Sequence, residues 1–222
     1  MGVVKLTKPL ATEVGADSPT RERLMREAMK LLATEGFNGV SLRRIVRASG
    51  GANPSALHYH FGDRLTLVRE IAQMLQSWYE PRALEQLTQL RERSRYRVRD
   101  VLEAVFGPVI EMLLDPALGT DAVRFIARLG WDFGHEGQEI SAQFHQQSMG
   151  LAFKLLRPLM PTVDDEALKF RLVTNMNNVY NGLAYRSYLW RSPFGALDIV
   201  KQENAAQLRA WFMDYLEGGL RS

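Results

Sequence analysis

Ser41-Leu42-Arg43-Arg44-Ile45-Val46-Arg47-Ala48-Ser49-Gly50-Gly51-Ala52-Asn53-Pro54-Ser55-Ala56-Leu57-His58-Tyr59-His60-Phe61 reads as two short helices broken by a glycine turn. Ser41 caps the first, whose Leu42, Ile45 and Val46 point inward while Arg43, Arg44 and Arg47 point out. Asn53-Pro54 opens the second, in which Leu57 and Phe61, four positions apart, form a buried side. Asn53, Pro54, Ser55, Ala56, His58, Tyr59 and His60 are left to face outward. A short helix with one apolar edge and a small, polar first turn is suited to the DNA major groove. Ser55 and Ala56 allow close backbone approach, and Ala56 can touch a thymine methyl. Tyr59, His60 and Arg64 suit phosphates, Arg43 and Arg44 can clamp the DNA backbone, and Ser41 stands beside them at the helix start.

The flanking sequence continues in helical periods. Ser18-Pro19 opens a helix whose Leu24, Met25, Ala28, Leu31 and Leu32 make an apolar stripe, stopped at Gly36, with Phe37 and Val40 folding back onto it. Residues 1–17 hold no sustained period and read as a flexible arm. Asp63 caps a fourth helix through Leu65, Val68, Ile71, Ala72 and Leu75 to about Leu90, with a kink expected at Pro81. Further helices are predicted near Val98–Leu114, Asp121–Trp131, Gln138–Leu156, Asp164–Trp190 and Asp198–Leu216, separated by breakers such as Asp115-Pro116, Arg157-Pro158 and Ser192-Pro193. No strand-like alternation and no internal repeat appear. The expected fold is all-α: an arm (1–17), a helix-turn-helix domain (18–73) and a larger helical body (74–222).

The chain of 222 residues contains no cysteine, which excludes disulfides, thiolate metal sites and cysteine nucleophiles. No run is long and apolar enough to span a bilayer, and the N-terminus lacks the pattern of a secretory signal, so a cytoplasmic protein is expected. Residues 18–73 hold nine Lys/Arg against five Asp/Glu, whereas residues 74–222 hold seventeen against eighteen. The basic surplus accompanies the two-helix motif, as phosphate attraction requires.

The segment from about Arg21 to Leu67 resembles the DNA-binding domain of TetR-type transcriptional regulators. The matching elements are Glu35-Gly36-Phe37 at the end of the first helix, Val40-Ser41 and Ile45 in the second, Asn53, Tyr59-His60-Phe61, Gly62-Asp63-Arg64 and Leu67. Two positions depart from the family pattern. Ser49-Gly50-Gly51-Ala52 is one residue longer than the usual turn, and His58 stands where many members carry Tyr or Asn. The resemblance implies a helical body that dimerises and binds a small molecule.

Phe106, Phe125, Arg128, Trp131, Phe144, Met149, Asn177 and Tyr180 are the candidates for lining an effector pocket, each of the apolar ones equally readable as core. Arg124, Gln143 and His145 are further polar candidates. Asn175, Asn177, Asn178 and Asn181 interrupt an otherwise apolar helix and suit a pocket wall or a helix–helix register. Phe170, Val173, Leu183, Tyr188, Leu208, Trp211, Phe212 and Tyr215 are candidates for a dimer contact or for packing within the chain. His58 and His60, two apart, point to different helix faces, and Asp132-x-x-His135-Glu136 lies among glycines and reads as a solvated turn; no metal, cofactor or catalytic residue is expected.

The combined expectation is a homodimeric repressor released from a palindromic double-stranded operator by a small, largely apolar effector. Two alternatives stand beside it. One is a constitutive DNA-binding protein without ligand; the other is a helical-bundle enzyme using Asp132–Glu136.

Overall fold

The computed structural model describes residues 18–50, 55–201 and 204–221. Several ends of its first four helices are set by local chemistry. Helix α1 (Ser18–Glu35) stops at Gly36, whose φ of +85° suits a residue without a Cβ. Phe37 and Val40 then fold back into the core, as their spacing predicts. At the start of α2 (Leu42–Ala48), the Ser41 hydroxyl accepts from the Arg44 N–H. Helix α3 (Ser55–Phe61) leads through Gly62 to Asp63, whose carboxylate accepts from the Thr66 N–H and opens α4 (Arg64–Glu92). That bond holds the Asp63 carboxyl below its ordinary pKa. Helix α4 continues through Pro81 without a break and crosses the expected domain boundary. The arm 1–17 lies outside the described residues.

The body follows as α5 (Val98–Leu114), α6 (Gly119–Asp132), α7 (Gly134–Leu156), α8 (Asp165–Ala184) and α9 (Ala205–Arg221). Four boundaries differ from the periodicity reading by four residues or more, one of them the end of α9, which runs past Leu216 to Arg221. Helix α7 begins four residues before Gln138, because Gly137 is packed against α6 rather than looped out. A Cβ on Gly137 would stand 2.0 Å from the Leu129 carbonyl oxygen, so only glycine lets α7 start this close to α6. Helix α8 ends at Ala184 instead of running to Trp190: the Arg124 guanidinium donates to the Ala184 carbonyl at 3.1 Å, and Arg186–Arg191 continues as 3-10 turns. Helix α9 starts only at Ala205. The segment before it is tied locally by an Asp198–Lys201 ion pair of 2.8 Å and by Asn204 donating to the Asp198 carbonyl.

Among the described residues there is no strand, and a single isolated bridge joins Ser192 and Gly195. One hydrophobic core runs without interruption from Leu24 of α1 to Leu220 of α9. Helix α4 packs along α5 and α7, and α1 packs on α6, so the N-terminal helices are seated on the body.

Candidate nucleic-acid interface and companion cavity

The α2–α3 pair separates its faces as a groove-entering unit must. Ile45, Val46 and Phe61 are buried, while Arg43, Arg44, Arg47 and His58 are exposed and Tyr59 is 77% exposed. Two exposed side chains are already engaged. Arg44 pairs with Glu35 at 2.6 Å, and His58 donates from Nδ1 to the Gly62 carbonyl at 2.6 Å, closing the end of α3. That bond fixes the proton on Nδ1 in the neutral ring and leaves Nε2 as an acceptor toward the outside. The Tyr59 and His60 rings meet edge to face at 5.3 Å. Asn53 and Pro54 lie outside the described residues, as do Gly51 and Ala52 of the lengthened turn and the side chains of Ser55, Ala56 and Leu57.

Arg64 departs from the role its position suggests. Its guanidinium lies 6.0 Å over the Phe133 ring, and its Nε and Nη2 are buried without a hydrogen-bond partner. Burial lowers its pKa from the ordinary guanidinium value. The group therefore points into the junction between α4 and the body rather than out toward a phosphate. Arg21, not singled out by periodicity, stacks over Phe61 at 5.1 Å and pairs with Glu70, so α1 braces α3 and α4 together.

That junction continues across the molecule. The Phe37 ring lies 5.2 Å from Phe125 of α6 and 5.1 Å from Phe133 at the α6–α7 turn. Asn38 donates to the Asp132 carbonyl. Arg128 pairs with Asp132 at 3.6 Å and donates to the Tyr185 hydroxyl. The Asp132–Glu136 segment is thus structural: Asp132 holds Arg128, and His135 faces Glu139 at 3.4 Å on the surface. Among the described residues no group of His, Asp or Glu is arranged to hold a metal.

On the other side of the α6–α7 turn, a cavity of about 420 Å³ opens between α6, α7 and α8. Of the residues proposed for an effector pocket, Trp131, Met149 and Asn177 line it, and so does His145. Phe106, Phe125 and Phe144 are packed in the core instead, and Arg128 is turned to the α1 junction. Arg124 caps α8, and the Gln143 carbonyl accepts from Gln76. Tyr180 sits behind the wall and donates its hydroxyl proton to His145 Nε2 at 2.9 Å, while His145 Nδ1 donates to the Ser141 carbonyl at 2.9 Å. Burial pushes the His145 pKa down to about 4 and that of Tyr79 up to about 12. Tyr79, stacked on Phe144 at 5.4 Å, reaches Ser148 at 3.1 Å, so a buried polar cluster of four side chains backs the cavity. Periodicity could not reveal it, because a Tyr or Ser inside an apolar stripe carries no mark of its partner.

The C-terminal helices divide the dimer candidates. Leu183 and Leu208 are buried within the chain, and Phe212 packs where a Cβ on Gly182 would be. Phe170, Val173, Tyr188, Trp211 and Tyr215 are exposed. The asparagines divide as well. Asn175 donates to the Leu216 carbonyl and Asn178 to the Tyr215 hydroxyl, binding α8 to α9; Asn177 faces the cavity; Asn181 returns to its own helix.

Comparison with known proteins accords with this geometry. Residues 24–71 match the family model of "Bacterial regulatory proteins, tetR family". No curated protein matches the sequence. Among solved structures, a TetR-family transcriptional regulator from Rhodococcus sp. superposes with a TM-score of 0.61 at 15% identity, covering 89% of this chain and 98% of its own. The TetR-family regulator PfmR of Thermus thermophilus gives 0.59 at 15%, covering 91% and 96%. The ketosteroid transcriptional regulator KstR2 of Mycobacterium tuberculosis gives 0.57 at 16%, covering 93% and 98%. These likenesses establish that the fold extends over nearly the whole chain. Over α1 to α4, this protein is thus similar to the helix-turn-helix segment of the tetR family of bacterial regulatory proteins.

Proposed function

We propose that the protein is a homodimeric, effector-responsive repressor acting in the cytoplasm on a palindromic operator. Residues 18–73 form its DNA-binding domain and 74–222 its effector-binding and dimerisation domain. The observation that carries the reading is the position of the cavity. It abuts the α6–α7 turn, whose opposite side bears the Phe37–Phe133 and Arg64–Phe133 contacts to the DNA-binding helices. A ligand that displaces Trp131 or Gln138 acts on the same turn that seats α1 and α4.

DNA binding rests on α2 and α3. Arg43 and Arg44, with Tyr59 and His60, hold phosphates; Asn53, Pro54, Ser55, Ala56 and His58 face base edges; Ser41 sets the start of α2. The second copy meets the exposed face of α8 and α9, where Phe170, Trp211 and Tyr215 stand. Effector binding then works by linkage. If the geometry released from DNA binds the effector a hundredfold better, operator affinity falls by up to ~2.7 kcal/mol.

The test is selection and footprinting on random duplexes at two salt concentrations. A short palindromic site with strongly salt-dependent affinity is expected. Binding with no sequence preference refutes the operator reading, and a binding stoichiometry of one chain per site refutes the dimer.

A further inference from the structure

The cavity between α6, α7 and α8 is drug-sized at about 420 Å³. Its apolar wall is Trp131, Met149, Val173 and Met176, with the Trp131 indole 72% exposed at the mouth. Its polar groups are the amides of Gln138, Gln146 and Asn177, the Ser141 position and the His145 ring. Among the described residues that line it, none carries a formal charge. Three pairs take up charged side chains near these positions in sequence: Arg128 with Asp132, Glu139 facing His135, and Lys169 with Glu166 at 2.6 Å.

Among the described lining residues His145 is the one titratable group, and its geometry keeps it neutral. Both ring nitrogens are used, Nδ1–H on the Ser141 carbonyl and Nε2 accepting from Tyr180. A proton on Nε2 would force the Tyr180 hydroxyl to give up its bond to the ring and turn its own proton elsewhere. The groups packed around the ring, Phe144, Tyr79, Ser148 and Tyr180, supply no carboxylate to stabilise an imidazolium. Burial also holds the ring far below its ordinary pKa.

Taking this cavity as the effector site, we infer that the effector is an uncharged molecule: an apolar, largely aromatic body carrying a neutral hydrogen-bonding group such as an amide, ketone or hydroxyl. A carboxylate, phosphate or ammonium would give up hydration here and meet no counter-ion among the described lining residues. Amide side chains offer both donors and acceptors, which match a neutral carbonyl or hydroxyl without that cost.

The experiment uses the full-length protein and N-phenyl-1-naphthylamine, an uncharged fluorophore that brightens in apolar sites. Three competitors on one skeleton then displace it at pH 7.5: 2-naphthamide, 2-naphthoate and 2-naphthylmethylammonium. Displacement by the amide is expected at concentrations roughly tenfold or more below those of either ion. Ala142→Trp, at an exposed position on the cavity wall, fills the space without touching the core and is expected to abolish reporter binding. Either ion displacing as well as the amide overturns the uncharged class while leaving the cavity as the effector site. Reporter binding that is absent, or that survives Ala142→Trp unchanged, overturns the cavity reading and this inference with it.

Discussion

The ring of Phe37 lies 5.1 Å from that of Phe133, joining the loop after α1 to the one-residue turn between α6 and α7. Phe37 is completely buried, and its ring also lies 5.2 Å from that of Phe125. Through this pair the DNA-binding helices rest on the element that also walls the cavity. Phe37→Ala should therefore destabilise the fold by about 3–5 kcal/mol in urea titrations followed by circular dichroism. In a cycle of Phe37→Leu and Phe133→Leu, a coupling of about 0.5–1.5 kcal/mol is expected. Strict additivity would mean that the two parts are mechanically independent.

The arginines around α2 and α4 should behave differently on DNA. Arg43 is exposed, whereas the Arg64 guanidinium is turned onto Phe133. Arg43→Ala should weaken all sequences alike and lower the salt slope of binding by about one. Tyr59→Ala should also weaken all sequences alike. Arg64→Ala should leave the salt slope unchanged while altering stability. Fluorescence anisotropy across a salt series decides; a lowered slope for Arg64→Ala would return that residue to the phosphate set.

Most of the fold was legible because it is written in local chemistry. Ser41, Gly36 and Asp63 mark helix ends by their own side chains or lack of one, and each does so here. The misplaced boundaries at Gln138, Trp190 and Asp198 depend on partners remote in sequence or packed across a turn, as with Arg124 on the Ala184 carbonyl. The same limit applied to the site. The apolar spacing that singled out Phe106, Phe125 and Phe144 cannot tell a cavity wall from a core. Arg64 looked outward by position because its Phe133 partner lies far along the chain.

Stability should depend on pH through His145. In the native protein the ring stays neutral down to about pH 4, whereas in the unfolded chain it takes up a proton below its ordinary 6.5. The unfolded state thus binds more protons between those values, so stability is full above about 6.5 and is lost as pH falls toward 4. Between pH 7.5 and 5 the loss from this one residue is about 2 kcal/mol. His145→Gln removes the titration, so the stability gap between wild type and variant should shrink by that amount at pH 5. Denaturant titrations at the two pH values test this. A gap independent of pH would show that the ring titrates normally.

The C-terminal helices allow the dimer face to be separated from the core by substitution. Leu183 and Tyr215 are both apolar candidates by spacing, yet Leu183 is fully buried and Tyr215 is exposed beside Trp211 on α9 and Asn178 on α8. A charge at Leu183 enters the core without a partner, so Leu183→Glu should unfold the protein. A charge at Tyr215 or Trp211 leaves the buried core intact, removes only the exposed Asn178–Tyr215 hydrogen bond between α8 and α9, and places like charges opposite each other across a two-fold interface. The double variant Trp211→Glu, Tyr215→Glu should therefore keep its helical circular dichroism and sediment as a monomer. Its DNA affinity should fall steeply, because each half-site is then bound alone. Sedimentation velocity and anisotropy on the selected operator measure both consequences. A variant that remains dimeric would move the interface away from α9, toward the aromatic side chains of Tyr188 and Phe194.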